Sequence, residues 1–230
     1  MTAPRYAHRH RAATSDVATR ERLIDAATEQ FAEFGFRRTS VRDICRAAGA
    51  NVAAVNYHFD GKLGLYKEVV SRAIQAMRET TRALIVPDPA LPADERLRHY
   101  VRAYVPLIAA REAQVQGGRA GWIHKLMRHE SAEPTPLAPW IADEVVKPRV
   151  RHLSRILAEL LGTTDDDPRV ARCVISIEAQ CLSYAPNKFR ECALQGWPTT
   201  TTQIAAAAEH IADFSLAGIR QIATEHQPGA

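Results

Sequence analysis

The stretch TSVRDICRAAGANVAAVNYHFDGK, residues 39–62, decides how this chain folds. Val41, Ile44, Cys45 and Ala48 recur at three- and four-residue steps, the spacing that puts side chains on one face of a helix. Ser40 stands before that run as an N-cap, with Asp43 three residues on in a capping-box-like position. Gly49 ends the run, and Asn51 caps a third, very short helix through Phe59 that Asp60 or Gly61 breaks. Val55 and Phe59 are its apolar anchors. The result is two short helices joined by a tight turn at Gly49–Asn51, which is the pattern of a helix-turn-helix. Between Gly49 and Lys62, His58 is the only group able to carry positive charge.

The elements on either side fit that reading. Upstream, Val17, Leu23, Ile24, Ala27, Phe31 and Phe34 repeat at helical spacing and end at Gly35, a good C-cap. Downstream, a long fourth helix is predicted from about Lys62 to Ile85, stopped by VPDPALP at Val86–Pro92. Another helix is expected over Ala93–Val115, with Leu97, Tyr100, Val101, Tyr104 and Ile108 on one side and Pro106 kinking or dividing it. Gly117 and Gly118 open a break, AEPTPLAP reads as a loop, and a helix follows from about Trp140 to Leu161. Asp167 and Pro168 then start a helix that carries Val170, Cys173, Val174, Ile177, Cys181 and Tyr184 on one stripe, with its second half disturbed by Pro186. The last helix, Thr202 to about Thr224, aligns Ile204, Ala208, Ile211, Ser215 and Ile219. No run favours a strand and no repeat is visible, so the fold class is all-α.

Composition sets further bounds. The chain has 230 residues and a formal net charge of +4, a weak preference for anionic partners. The excess sits at the N-terminus, where Arg5, Arg9, Arg11, Arg20 and Arg22 face only Asp16 and Glu21. Residues 1–15 therefore read as a basic, flexible arm, either a plain tail or a groove-binding arm. No segment has the roughly 20 apolar residues of a membrane span, and the N-terminus lacks the apolar core of a signal peptide, so a cytoplasmic protein without membrane contact is expected. Cys45, Cys173, Cys181 and Cys192 form no C-x-x-C pair and are expected to be reduced and buried. His124, His129, Glu130 and His152 invite a metal reading, but His124 and His129 are five apart and fit one helical face poorly. No metal site, cofactor or catalytic group is expected, since no nucleophile elbow, phosphate loop, H-E-x-x-H or zinc quartet is present.

The segment LIDAATEQFAEFGFRRTSVRDICRAAGANVAAVNYHFDGKLGLY resembles the DNA-binding domain of TetR/AcrR-type transcriptional regulators. The shared features are Phe34-Gly35-Phe36, Thr39-Ser40, Ile44, Ala47-Ala48-Gly49, the NYHF run at Asn56–Phe59, and Lys62. The similarity covers about residues 17 to 70 and departs at Asp60–Gly64, where Asp60 precedes the lysine and Leu63-Gly64 follow it. GWIHKLMRHESAEPTP and WIADEVVKPRVRHLSRILAELLG further resemble the C-terminal domains of CecR-like members.

The resemblance implies a three-helix DNA-binding domain over 16–61, joined by a long helix to a helical effector-binding and dimerisation domain over 62–230. Thr39 and Ser40 would bind phosphate through their hydroxyls or the helix N-terminus, and Tyr57 and Lys62 would clamp the backbone. Asn51, Val52, Ala53, Ala54, Asn56 and His58 lie where the family meets bases or the adjoining backbone. Asparagine pairs with adenine, and alanine and valine meet thymine methyls, so base reading needs no arginine here. Affinity would come from Lys62, Arg37, Arg38, Arg42 and the arm. The expected assembly is a homodimer through the two C-terminal helices, most often a repressor, on a palindromic operator in double-stranded DNA and released by a small-molecule effector. Tyr100, Tyr104, Trp122, His124, Met127, Arg128, His129 and Tyr184 are the candidate pocket residues. The rivals are a helical metalloprotein or enzyme using the His-containing middle region, and a regulator without a small-molecule effector.

Overall fold

The computed structural model describes residues 5–85, 90–109 and 119–225, and every regular element among them is helical. The elements are α1 (Arg5–Arg38), α2 (Val41–Ala48), α3 (Val52–Phe59), α4 (Lys62–Ile85), α5 (Ala93–Ala109), α6 (Arg119–Ala132), α7 (Ala138–Ile141), α8 (Lys147–Leu161), α9 (Pro168–Leu182), α10 (Lys188–Ala193) and α11 (Thr201–Thr224). A π-helical turn over Ala142–Val146 separates α7 from α8. Contacts divide the chain into two compact units, one of Met1–Glu79 with Gly117–Ile141, the other of Thr80–Gln116 with Ala142–Ala230.

This division differs from the boundary expected between residues 61 and 62, because the first unit is held by more than its first three helices. Phe31 of α1 meets Tyr66 of α4 edge-on at 4.9 Å between ring centroids, and Phe36 lies 5.0 Å from the same ring. The Tyr66 hydroxyl donates to Glu130 of α6 at 2.9 Å, and the other Glu130 oxygen accepts from Thr135 N at 3.1 Å. A buried carboxylate must be hydrogen-bonded to be tolerated, so this pair fixes α6 and its following loop to the head. Burial, then the neighbouring carboxylate, pushes the Tyr66 hydroxyl well above its ordinary pKa, so it remains a donor. On the same unit Arg72 bridges α4 to α1, with Nη1 and Nη2 on Glu21 at 2.6 and 2.8 Å and Nε on Glu68 at 2.9 Å.

Gly35 interrupts α1 at φ 74 and ψ 172, a conformation that excludes an ordinary side chain. The neighbouring space excludes one too, since an added Cβ would lie 2.9 Å from His129 Nδ1. Two residues expected on the inner face of α1 are exposed, Val17 and Phe34. Both lie at the margins of the stripe defined by Leu23, Ile24, Ala27 and Phe31, which is fully buried.

The second unit is a packed set of α5, α8, α9 and α11 around Leu97, Val101, Leu153, Leu157, Ile177 and Ile211. The stripes expected on the last two long helices are buried, apart from Tyr184, which falls beyond the end of α9 and stacks on Trp197 at 5.7 Å. Asp167 caps α9 by accepting from Arg169 N, and Thr200 with Gln203 forms a complete capping box on α11. Pro106 does not divide α5, which continues to Ala109. The carbonyl left without a donor belongs to Arg102, where the helix surface is exposed to water. The helix expected from Trp140 instead changes register at the π turn, just before Pro148. Proline cannot donate into the ladder, and the wider turn absorbs the missing bond. The helix expected to be disturbed by Pro186 ends at Leu182, and a short separate α10 follows with Asn187 as its cap. Cys45, Cys173 and Cys181 are buried, whereas Cys192 is exposed on α10, and none of the four is in a disulfide. Burial raises the Cys45 and Cys173 pKa values and pushes Cys181 up to about 12.

Candidate nucleic-acid interface

The helix-turn-helix is built as its sequence requires. Ile44, Cys45 and Ala48 of α2 and Val55 and Phe59 of α3 are buried with the inner face of α1. Ser40 Oγ accepts from Asp43 N at 3.1 Å and donates to the Asp43 carboxylate at 2.5 Å. Gly49 closes α2 in the left-handed conformation, its N–H directed at the Arg46 and Cys45 carbonyls. Arg22 Nε donates to Ala48 O at 3.1 Å, tying the end of α2 to α1. Asn51 accepts from Ala53 N at 2.5 Å and caps α3, and Asp60 ends it at φ 55. Each cap contributes about 1 kcal/mol, a large share for eight-residue helices that would not persist alone.

With Val55 and Phe59 turned inward, Val52, Ala53, Asn56 and Tyr57 form the exposed face of α3. Tyr57 is 77% exposed, far more than packing explains. Ala54 is half-buried at the edge of that face. His58 is turned the other way, with Nε2 3.3 Å from Asp16 Oδ1 of α1 and only 8% of its side chain exposed. It therefore links α3 to α1, and its ring is not presented with the exposed set. Thr39 is also inward, and its hydroxyl donates to Gly35 O at 2.8 Å and Gln30 O at 3.0 Å. The hydroxyl contact expected of Thr39 with phosphate is thus occupied within the protein. Ser40 remains exposed at the N-terminus of α2, whose first N–H groups have no helical partner.

Charge surrounds the exposed face of α3 without entering it. Arg38 and Arg42 are exposed and have no ion-pair partner among the described residues, whereas Arg46 pairs with Asp43 at 2.9 Å. Arg37 lies 3.9 Å from Glu133. Lys62 Nζ rests 4.4 Å from the Phe36 ring centroid and 3.4 Å from Arg37 O. Its partial burial lowers its pKa. The hydroxyl of Ser40 and then Arg46 hold the Asp43 carboxyl below its ordinary range. The basic residues of the arm before Asp16 have side chains outside the described set, although α1 itself begins at Arg5.

The expected pocket residues fall in different units. Trp122, Met127, Arg128 and His129 belong to the first, where His129 Nε2 lies 3.2 Å from Ala32 O and the imidazole packs on Gly35. His129 is thereby a packing contact between α6 and α1, and the His124 side chain lies outside the described residues. Tyr100, Tyr104 and Tyr184 belong to the second. Tyr100 and Tyr104 are buried 5.6 Å apart beside an ion pair absent from the expected set, Arg149 and Glu178, whose Nε and Oε1 are 2.9 Å apart. The pair had a legible signal. Arg149 shares a stripe with Leu153, Ile156 and Leu157, and Glu178 one with Val174 and Cys181, so each helix places a charge at a core position.

The same unit carries a groove of about 380 Å³ between α9 and α11, lined by Cys173, Ile177, Phe214, Ser215 and Ile222 among others. Phe214 is 64% exposed beside it. Among the described residues no helix is long and apolar enough to cross a membrane, and no group of three or more His, Cys, Asp or Glu could hold a metal ion.

Comparison with known proteins matches both parts. Residues 23–69 fit the family model described as bacterial regulatory proteins, tetR family. Residues 93–219 fit that of the HTH-type transcriptional dual regulator CecR, C-terminal domain. The chain is 25% identical over 188 residues to the dual regulator CecR of Shigella flexneri, covering 77% of this chain and 80% of that one. It is 36% identical over 81 residues to the transcriptional repressor KstR2 of Rhodococcus jostii, spanning 29% of this chain and 39% of that protein. A solved structure of a putative transcriptional regulator from Pseudomonas aeruginosa PAO1 shares the fold, with a TM-score of 0.57, 22% identity, and 88% and 92% of the two chains covered. The buried frame, the capped turn and the exposed face of α3 thus belong to a DNA-binding transcriptional regulator of the TetR family, with a C-terminal domain of the CecR type.

Proposed function

We propose that this regulator acts in the cytoplasm as a homodimer that binds a palindromic operator, represses from it, and is released by a small-molecule effector. The observation that carries the DNA half is the outward set Val52, Ala53, Asn56 and Tyr57 on a helix anchored from behind by Val55, Phe59 and His58. Asn56 is the adenine reader, and Val52 and Ala53 are the contacts to thymine methyls. Tyr57, Arg42 and Lys62 hold backbone phosphates, together with the first N–H groups of α2, and Ser40 joins them once its hydroxyl turns from the Asp43 carboxylate to a phosphate. Asn51 and Ala54 flank the contact, Asn51 chiefly as the cap that presents α3. Thr39 and His58 act through the position they give the two helices.

Dimerisation is supported by the α9–α11 groove and by Phe214 beside it, apolar surface that a second copy would cover. The effector belongs to the second unit, where differential affinity for the two head spacings would release the operator. Selection of bound sequences from random DNA tests the reading, with an inverted repeat as the expected product. Recovery of no enriched sequence by the purified full chain would refute it. Phe214→Glu should yield monomers by sedimentation and weaken operator binding.

A further inference from the structure

We propose that Arg149 is the anchor for the carboxylate of a small organic acid, the effector class of the second unit. The inference rests on reading that unit as the effector domain and names the chemistry its site accepts.

Arg149 keeps hydrogen-bonding capacity that its internal partner does not use. Its guanidinium carbon lies 4.6 Å from the Tyr104 ring centroid, so the planar group is backed by an aromatic face. The side chain is 19% exposed and that of Glu178 is 15%. Only Nε is used, donating to Glu178 Oε1 at 2.9 Å, and the Tyr100 hydroxyl directs itself at that same oxygen from 3.4 Å. Nη1, Nη2, Glu178 Oε2 and the Tyr104 hydroxyl have no partner among the described residues. His152, 6.4 Å from Tyr100 between ring centroids, has a buried Nε2 that is likewise without one.

Arginine recognises carboxylates through paired parallel N–H groups, and contact through Nε alone leaves the Nη1–Nη2 edge open for a second acceptor. An ion pair within an apolar helical core loses hydration that its own attraction only partly returns, so such a pair is weak evidence for stability alone. The sign of the surroundings selects the ligand. Arg96 and Arg155 both act electrostatically on His152, and the Glu159 carboxylate is already paired with Arg96. Arg155 thus adds positive charge beyond the two ion pairs, which favours an anion over a cation. The Tyr104 ring, which lies against the guanidinium, offers the organic part an apolar contact.

Three probes of one shape but different charge test this: benzoate, benzamide and benzylamine, titrated calorimetrically into the purified full chain. Benzoate should bind at least about tenfold more tightly than either of the others, the ratio that losing charge-assisted hydrogen bonds implies. Arg149→Gln should lower benzoate affinity by about tenfold or more. Glu178→Gln should raise it, because the internal carboxylate that competes for the guanidinium is gone while its shape stays. A packing role for the pair would weaken binding in both variants, so opposite signs separate the two accounts. Preference for benzylamine, or no benzoate binding by protein that still selects its operator, would overturn the proposal. Failure to select any operator would instead fall on the regulator reading.

Discussion

Substituting Gly64 tests how α4 is seated on α3. The position follows Lys62 by two residues, and the structure explains why it must lack a side chain. A Cβ built on Gly64 would lie 1.8 Å from the carbonyl oxygen of Phe59, whereas real Cβ contacts essentially never fall under 3.0 Å. Backbone must therefore separate by at least 1.2 Å, the difference between those two distances. The atom in the way is main chain and cannot rotate aside. Moving it shifts Phe59, which is 8% exposed and lies under the Arg20 guanidinium at 5.4 Å, together with the left-handed turn at Asp60. Overpacking of this kind costs roughly 1–3 kcal/mol, and a backbone clash belongs at the upper end. For a chain of this length, about 3 kcal/mol corresponds to a fall in melting temperature of roughly 6–12 °C. Thermal unfolding followed by circular dichroism measures it, alongside operator affinity. A Gly64→Ala protein that melts within about 2 °C of the parent would refute the reasoning, since no relaxation that leaves α3 in place removes a 1.8 Å contact.

Three further outcomes follow from the same geometry. Tyr66→Phe leaves a Glu130 oxygen without its donor inside the first unit and should destabilise it by about 1–3 kcal/mol in urea unfolding, whereas a neutral result would mean that the carboxylate finds water. Burial first, then Arg96, Arg155 and His99, lower the His152 pKa from its ordinary 6.5. The unfolded chain therefore takes up the proton before the folded one, and stability should fall as pH drops below about 6.5, with a slope of at most ~1.4 kcal/mol per pH unit. His152→Gln should flatten that part of the profile, and an unchanged slope would assign it elsewhere. Arg42→Ala should weaken binding to all sequences alike and reduce the log–log salt slope by about 1, while a changed base preference would place Arg42 among the readers.

Local chemistry made the first part of this protein legible. Caps and periodicity gave α2, α3 and α4 their bounds because Ser40, Asn51, Gly49 and Asp60 act within one turn of the helix they begin or end. The exposed face of α3 was equally legible, since a helix with only Val55 and Phe59 buried leaves its other side free. Thr39 and His58 were not. Both look like contact residues in sequence, and only Gly35 O and Asp16, brought to them by folding, turn them inward. The lack of cations in α3 likewise reads as a weakness until Arg38 and Arg42 are seen exposed and without an ion-pair partner among the described residues.

Helix type and the family resemblance were thus determined by the sequence itself, because short-range hydrogen bonding and a 3.6-residue period require no distant partner. Tertiary structure alone decided that α6 belongs with the head, through Glu130 on Tyr66 and His129 on Gly35. It alone joined Arg149 to Glu178 across two helices. Those pairings involve residues 29 to 94 positions apart, and no local rule constrains which inward-facing group meets which.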